Sequence, residues 1–96
     1  MKWSANLAWK VDLSETATAQ LAHLDKIEAK RIMTFLRRRL EPVDDPRSIG
    51  KALTGPLGGF WCYRVDDYRL ISSILDGEVR ILVVRLGHRS KVYRKQ

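Results

Sequence analysis

Cysteine occurs once in the 96 residues, at Cys62, which excludes an intrachain disulfide. Histidine occurs twice, at His23 and His88, too widely spaced for a zinc set, so neither a metal nor a cofactor is expected. No stretch approaches the roughly 18 to 20 apolar residues that span a bilayer. Behind Lys2 there is no apolar run of the kind a secretory leader needs, so a cytoplasmic protein without a membrane partner is the expectation. Gly55, Gly58 and Gly59 lack the Gly-Lys-Ser/Thr unit that opens a phosphate-binding helix, and read as turns. Acids are also scarce: 11 against 18 lysines and arginines leave a net charge of +7, which points to a polyanion or an acidic protein as partner. The excess is concentrated where Arg85, Arg89, Lys91, Arg94 and Lys95 fall within the last twelve residues with no acid among them, although a solvated basic tail is the plainer reading of the same charges.

What is present is enough for one domain, residues 1–96, with one modest core. Trp9, Val11 and Leu13 alternate with polar residues as a first strand. Ser14 then reads as an N-cap with Glu15 in the first turn of a helix that runs to about residue 24, burying Ala17, Leu21 and Leu24. Asp25 ends it and caps a second helix, 26–40, whose inward face carries Ile27, Ile32, Phe35, Leu36 and Leu40. So short a connection makes an antiparallel helical hairpin. Arg37, Arg38 and Arg39 sit where cations complement the helix dipole. Residues 41–59 read as a loop, with Ile49, Leu53 and Leu57 dipping into the core.

The stretches 60–65, 68–75 and 79–86 form a meander, which gives an α+β fold in the order β-α-α-β-β-β: an N-terminal strand, a two-helix antiparallel hairpin packed on an antiparallel sheet, and a short basic C-terminal tail. Two-residue turns at Asp66-Asp67 and Asp76-Gly77 would set Arg64 opposite Arg69, Val65 opposite Tyr68, Leu75 opposite Glu78 and Ile74 opposite Val79. Trp61, Tyr63, Leu70, Ile74, Val79, Ile81 and Val83 then face the helices, while Cys62, Arg64, Arg69, Ile71, Ser73, Arg80, Leu82 and Val84 face away. Two arginines placed directly opposite each other repel, unless an anion or an acidic partner sits between them. Pairing of Arg64 with Asp66 or Asp67 is the structural alternative.

Four pieces now stand in order: Leu21-Ala22-His23-Leu24-Asp25, Gly50-Lys51-Ala52-Leu53-Thr54-Gly55, Trp61-Cys62-Tyr63-Arg64-Val65-Asp66-Asp67-Tyr68-Arg69-Leu70, and Gly87-His88-Arg89-Ser90-Lys91-Val92-Tyr93-Arg94. Together they resemble the RelE/ParE superfamily of bacterial toxins, and the ending is more similar to the RelE branch. The resemblance implies a toxin silenced by a cognate antitoxin, and a metal-independent endoribonuclease that enters the A site of the ribosome, beside 16S ribosomal RNA, and cuts messenger RNA (mRNA) there. The ribose 2′-hydroxyl attacks the adjacent phosphate, leaving a 2′,3′-cyclic phosphate and a 5′-hydroxyl. It further implies a catalytic set of Arg64, Arg69, His88, Arg89 and Tyr93: Arg64 and Arg69 to hold the phosphate, Arg89 to neutralise the transition state or stand near the leaving oxygen, Tyr93 to stack on a base or exchange a proton. Lys51, Arg80, Arg85, Lys91 and Arg94 would bind RNA phosphates. Where familiar RelE members carry two lysines and an arginine, this chain has Cys62, Arg64 and Thr54. Arginine cannot act as a base, which leaves His88 or Tyr93 for that task. Cys62 reads as a small residue beside the arginines, not as a nucleophile. Two other readings remain: a ParE-like poison of DNA gyrase, and a weakened toxin that acts chiefly as co-repressor with its antitoxin.

Overall fold

The computed structural model describes residues 8–93, so Arg94 and Lys95 lie outside the described residues. Strand β1 (Lys10–Leu13) leads into helices α1 (Glu15–Ala22) and α2 (Lys26–Phe35), followed by β2 (Lys51–Ala52), β3 (Trp61–Val65), β4 (Tyr68–Leu75) and β5 (Arg80–His88). Ser14 separates strand from helix as expected, its hydroxyl accepting the Ala17 N–H at 3.0 Å. Asp25 starts α2 through its backbone, with its carbonyl accepting from Ala29 N–H at 2.9 Å and no side-chain cap. The expected helix does reach Leu40, but its last turn, Leu36–Leu40, widens to π geometry, with Glu41 N–H donating to Leu36 O at 2.9 Å.

Ile32, Leu36 and Leu40 are buried against the sheet, but Ile27 is 67% exposed, which corrects its assignment to the core. The cause is angular: five residues separate it from Ile32, about 140° around a helix with 3.6 residues per turn.

The fold class stands, with five strands in the order β1-β5-β4-β3-β2. All neighbours are antiparallel except β1, which runs parallel to β5. The two-residue β2 is an edge strand formed inside the expected loop. Both helices cover one face of the sheet, where Ala17, Leu36, Tyr63, Leu70, Ile81 and Leu86 belong to the main core. Burial of a side chain of Leu or Ile size contributes about 1.5–3 kcal/mol. The Tyr63 hydroxyl, at the centre, donates to Pro46 O at 2.8 Å. On the opposite face a smaller cluster forms from Cys62, Ile71 and Val92, with Leu53, Phe60 and Val84 against it.

The first hairpin has the expected register, with Arg64 opposite Arg69 and Val65 opposite Tyr68. The second does not. Its turn is a 3₁₀ segment, Asp76–Glu78, closed by Val79 in the left-handed region at φ 49°, so Leu75 faces Arg80 and Ile74 faces Ile81. Val79 therefore leaves the core and is 38% exposed. Because strand side chains alternate with a period of two, this shift of two residues keeps Ile81, Val83, Arg80 and Leu82 on their expected faces. A bulge then changes the count: Ile71 pairs with Arg85 and Ser72 with Val83, leaving Val84 as the extra residue. Beyond it, Arg85 and Gly87 turn to the open face, and Leu86 and His88 to the helix side. Helix α1 anchors the irregularity. Ser14 Oγ donates to Val84 O at 2.8 Å, and Gln20 Oε1 accepts from Leu86 N–H at 2.7 Å.

Candidate functional site: a cationic concavity on the open face

Strand pairing builds the site in two rows. Arg64, Arg69 and Gly87 form one, and Lys51, Cys62, Ile71 and Arg85 the other. After β5 the chain turns back, with Lys91 N–H and Val92 N–H both donating to His88 O at 2.8 and 2.9 Å. Val92 buries itself on Cys62 and Ile71, and the Arg85 guanidinium holds it there by donating from Nη1 to Val92 O at 2.8 Å. The next residue, Tyr93, is thereby laid over the open face, its hydroxyl 3.2 Å from Cys62 Sγ.

The result is a concavity of ≈ 320 Å³ lined by Lys51, Leu53, Cys62, Arg64, Arg69 and Tyr93. Among the described residues no carboxylate lies within ion-pair distance of Lys51, Arg64 or Arg69. Asp66, the expected alternative partner of Arg64, is engaged by Arg31 Nη1 at 2.7 Å. Asp67 faces Arg89 Nε at 3.6 Å. Arg69 Nη1 instead donates to the backbone oxygens of Asp66 and Tyr68, both at 3.0 Å, so the hairpin turn fixes this guanidinium. Three cations around one hollow, with no internal counter-charge, favour an anion, and guanidinium forks suit phosphate oxygens.

Burial pushes the Tyr93 phenol above its ordinary value, the contact with Cys62 adds to this, and Arg69 and Arg64 oppose it. A neighbouring cavity of ≈ 510 Å³, lined by Thr54, Pro56, Leu57, Arg85 and Tyr93, shares the tyrosine as a wall. Tyr93 is 46% exposed, which leaves its ring available for stacking.

Of the residues singled out from sequence, Lys51, Arg64, Arg69 and Tyr93 meet in the concavity. His88 does not. It pairs with Tyr68 on the helix side, their rings edge-to-face at 5.7 Å, and its Nδ1 is 2.8 Å from Ser90 Oγ. The bulge at Val84 explains the difference, since uninterrupted alternation would have brought His88 to the open face. Arg89 is tied to the hairpin tip, its N–H donating to Asp67 O at 2.8 Å. Arg85 secures the tail, and Lys91 borders a separate hollow of ≈ 240 Å³ beside Thr16 and Gln20. Arg80 is spent on Asp12 at 3.6 Å and Glu78 at 3.4 Å, at the far end of β5. The sequence reading missed the partnership of Cys62 with Tyr93. Strand alternation already put Cys62 and Arg64 on one face, but nothing local indicated that the tail would fold back over them.

Comparison with known proteins agrees with this architecture. A family model described as "ParE toxin of type II toxin-antitoxin system, parDE" matches residues 11–93. Toxin RelE of Mycobacterium tuberculosis is 30% identical over 86 residues, covering 90% of this chain and 87% of that protein. Among solved structures, the toxin-antitoxin complex RelBE2 of M. tuberculosis superposes with a TM-score of 0.79 at 26% identity, covering 88% of this chain and 95% of that one. The archaeal RelE-RelB complex of Pyrococcus horikoshii OT3 gives 0.67 at 27% identity, covering 90% and 100%. With a family match over almost the whole chain and a relative of that similarity, the chain belongs to the RelE/ParE superfamily of toxins of type II toxin-antitoxin systems.

Proposed function

We propose that this toxin is an endoribonuclease that cuts mRNA in the A site of the translating ribosome and is held silent by a cognate antitoxin. The observation that carries the reading is the concavity that Lys51, Arg64, Arg69 and Tyr93 line together, with no carboxylate among the described residues that line it. Arg64 and Arg69 grip the scissile phosphate and stabilise the charge that grows on its oxygens during attack by the 2′-hydroxyl. The phosphate at the same time relieves their mutual repulsion across the strand pair. Tyr93, which lines this concavity and the neighbouring cavity, supplies the proton to the leaving 5′-oxygen in this reading and offers its ring for a base to stack on. Among the described residues no carboxylate or imidazole lines the concavity, and in this reading the proton of the 2′-hydroxyl is passed to water ordered in the A site. Dependence on the ribosome follows, because substrate alignment must supply what the toxin's own groups do not.

The test is primer extension on a defined messenger with purified protein, with and without translating ribosomes. Cutting inside the A-site codon only when ribosomes are present, lost in Arg69→Ala, is the expected result. No cutting under either condition would refute the reading. A second reading, a poison of DNA gyrase, is favoured by the matching family model being that of ParE. Expression of such a protein would induce the DNA-damage response before protein synthesis stops, whereas the endonuclease arrests synthesis first.

A further inference from the structure

Tyr93 follows the end of the sheet on a returning tail, its ring half open to solvent, and Cys62 Sγ stands 3.2 Å from its hydroxyl. The sulfur is held in place from several sides. Cys62 lies on β3, is 4% exposed, and packs against Ile71 and Val92. The thiol also lies 3.9 Å from Tyr63 O, to which it can donate. One wall of the concavity is thus a buried sulfur hydrogen-bonded to a hydroxyl on a tail that Val92 and Arg85 pin down, with Arg64 and Arg69 lining the same hollow.

We infer that Cys62 is a positioning residue: its sulfur anchors the Tyr93 hydroxyl above the arginine pair and keeps that hydroxyl protonated for transfer to the leaving oxygen. This rests on the endonuclease reading given above. In the step it serves, the 2′-oxygen bonds to phosphorus while its proton leaves to water, and the bond from phosphorus to the 5′-oxygen breaks. The 5′-oxygen takes the phenolic proton, and the phenolate regains one from solvent. Cys62 forms no covalent bond and changes no oxidation state. A thiol sulfur is a weak acceptor, which suits a proton that must be released when the phosphate arrives. Burial, the largest influence raising the Tyr93 phenol, stays in the variants, but loss of the sulfur removes the contact that adds to it and leaves Arg69 and Arg64 opposing burial alone.

Two measurements test this independently. The first is titration of the Tyr93 ring by carbon NMR in purified protein without ribosomes, with Tyr93→Phe to assign the signal. Cys62→Ala and Cys62→Val lower the Tyr93 midpoint relative to wild type, and Cys62→Ser, which keeps a polar atom at the site, restores most of the difference. An unchanged midpoint in Cys62→Val, which preserves the packing on Ile71 and Val92, overturns the pairing. The second is the pH profile of ribosome-dependent cutting. Cys62→Val reduces kcat about tenfold, the size of one positioned partner in proton transfer, with KM nearly constant. Its alkaline limb moves to lower pH, because the acid form is lost sooner. A Cys62→Val toxin with wild-type kcat and pH profile overturns the catalytic role. If wild type itself cuts nothing on ribosomes, the endonuclease reading falls and this role with it, while the titration still decides the pairing.

Discussion

Arg69 and His88 show how one side chain's face decides its chemistry. Arg69 reaches the concavity with its guanidinium braced on the turn oxygens of Asp66 and Tyr68, so a phosphate bound there would meet it without reorganisation. Arg69→Ala should lower the rate of cutting by about 10²–10³, the usual loss when one preorganised charge donor is removed. His88→Ala should stay within about threefold, below the tenfold change that about 1.4 kcal/mol represents, because its ring lies across the sheet and its backbone carbonyl still holds the tail. A loss in His88→Ala as large as in Arg69→Ala would mean that the ring reaches the substrate after all. Tyr63 supplies a prediction for stability. Burial pushes its phenol well above the ordinary value, so the folded protein resists its ionisation. A group whose value is raised on folding contributes stability that is complete below the unfolded value, about 10 for tyrosine, and is lost as pH rises beyond it. Urea midpoints measured from pH 8 to 11 should therefore fall above about pH 10 in wild type. The fall should be shallower in Tyr63→Phe, which will also start lower for want of the bond to Pro46 O.

The turn between β4 and β5 is where an element departs from its sequence pattern. Asp76-Gly77 looks like a two-residue hairpin loop, yet the chain closes through Val79 at φ 49° and ψ 48°, a conformation that costs an L-residue roughly 1–2 kcal/mol and a β-branched one no less. The Val79 carbonyl accepts from Lys10 N–H at 3.0 Å, so pairing with the edge strand β1 offsets the strain. Val79→Asn should raise stability by about 1 kcal/mol, since asparagine enters the left-handed region readily and a partly exposed valine buries little. It should raise the urea midpoint with an unchanged m-value, and a drop in midpoint would show that the valine is not strained. This turn and the bulge at Val84 mark what the sequence left illegible. Ser14 as a cap, the helix ending at Leu40 and the Arg64/Arg69 register follow from residues close in the chain, and all were readable. The bulge is fixed by Ser14 and Gln20 acting across 70 and 66 residues, and only tertiary contact reveals it. That single extra residue moved His88 out of the candidate site and brought Arg85 to the open face, where it pins the tail.

At the scale of the whole molecule, the chain carries a net charge of +7, and its sheet has one face covered by helices and the other bearing a hollow whose cations have no carboxylate partner among the described residues. Such a surface is stabilised by any anion that fills it, and an acidic protein segment competes with RNA for the same charges. An antitoxin should therefore silence this toxin by laying an acidic stretch across the concavity or by displacing the tail that carries Tyr93, either of which removes the site without touching the core. A disordered segment that folds on binding is well suited to this, since it can follow an extended, shallow surface. Amide hydrogen exchange on the complex is the measurement. Protection is expected over β3 and the first half of β4 if the hollow is covered, or faster exchange at Val92 and Tyr93 if the tail is displaced. Affinity should also weaken steeply as salt rises above about 0.15 M, where exposed charges more than about 8 Å apart are screened. A complex in which the strands carrying Arg64 and Arg69, and the tail as well, exchange as in the free toxin would show that inhibition works from elsewhere. The open face would then belong to the RNA alone.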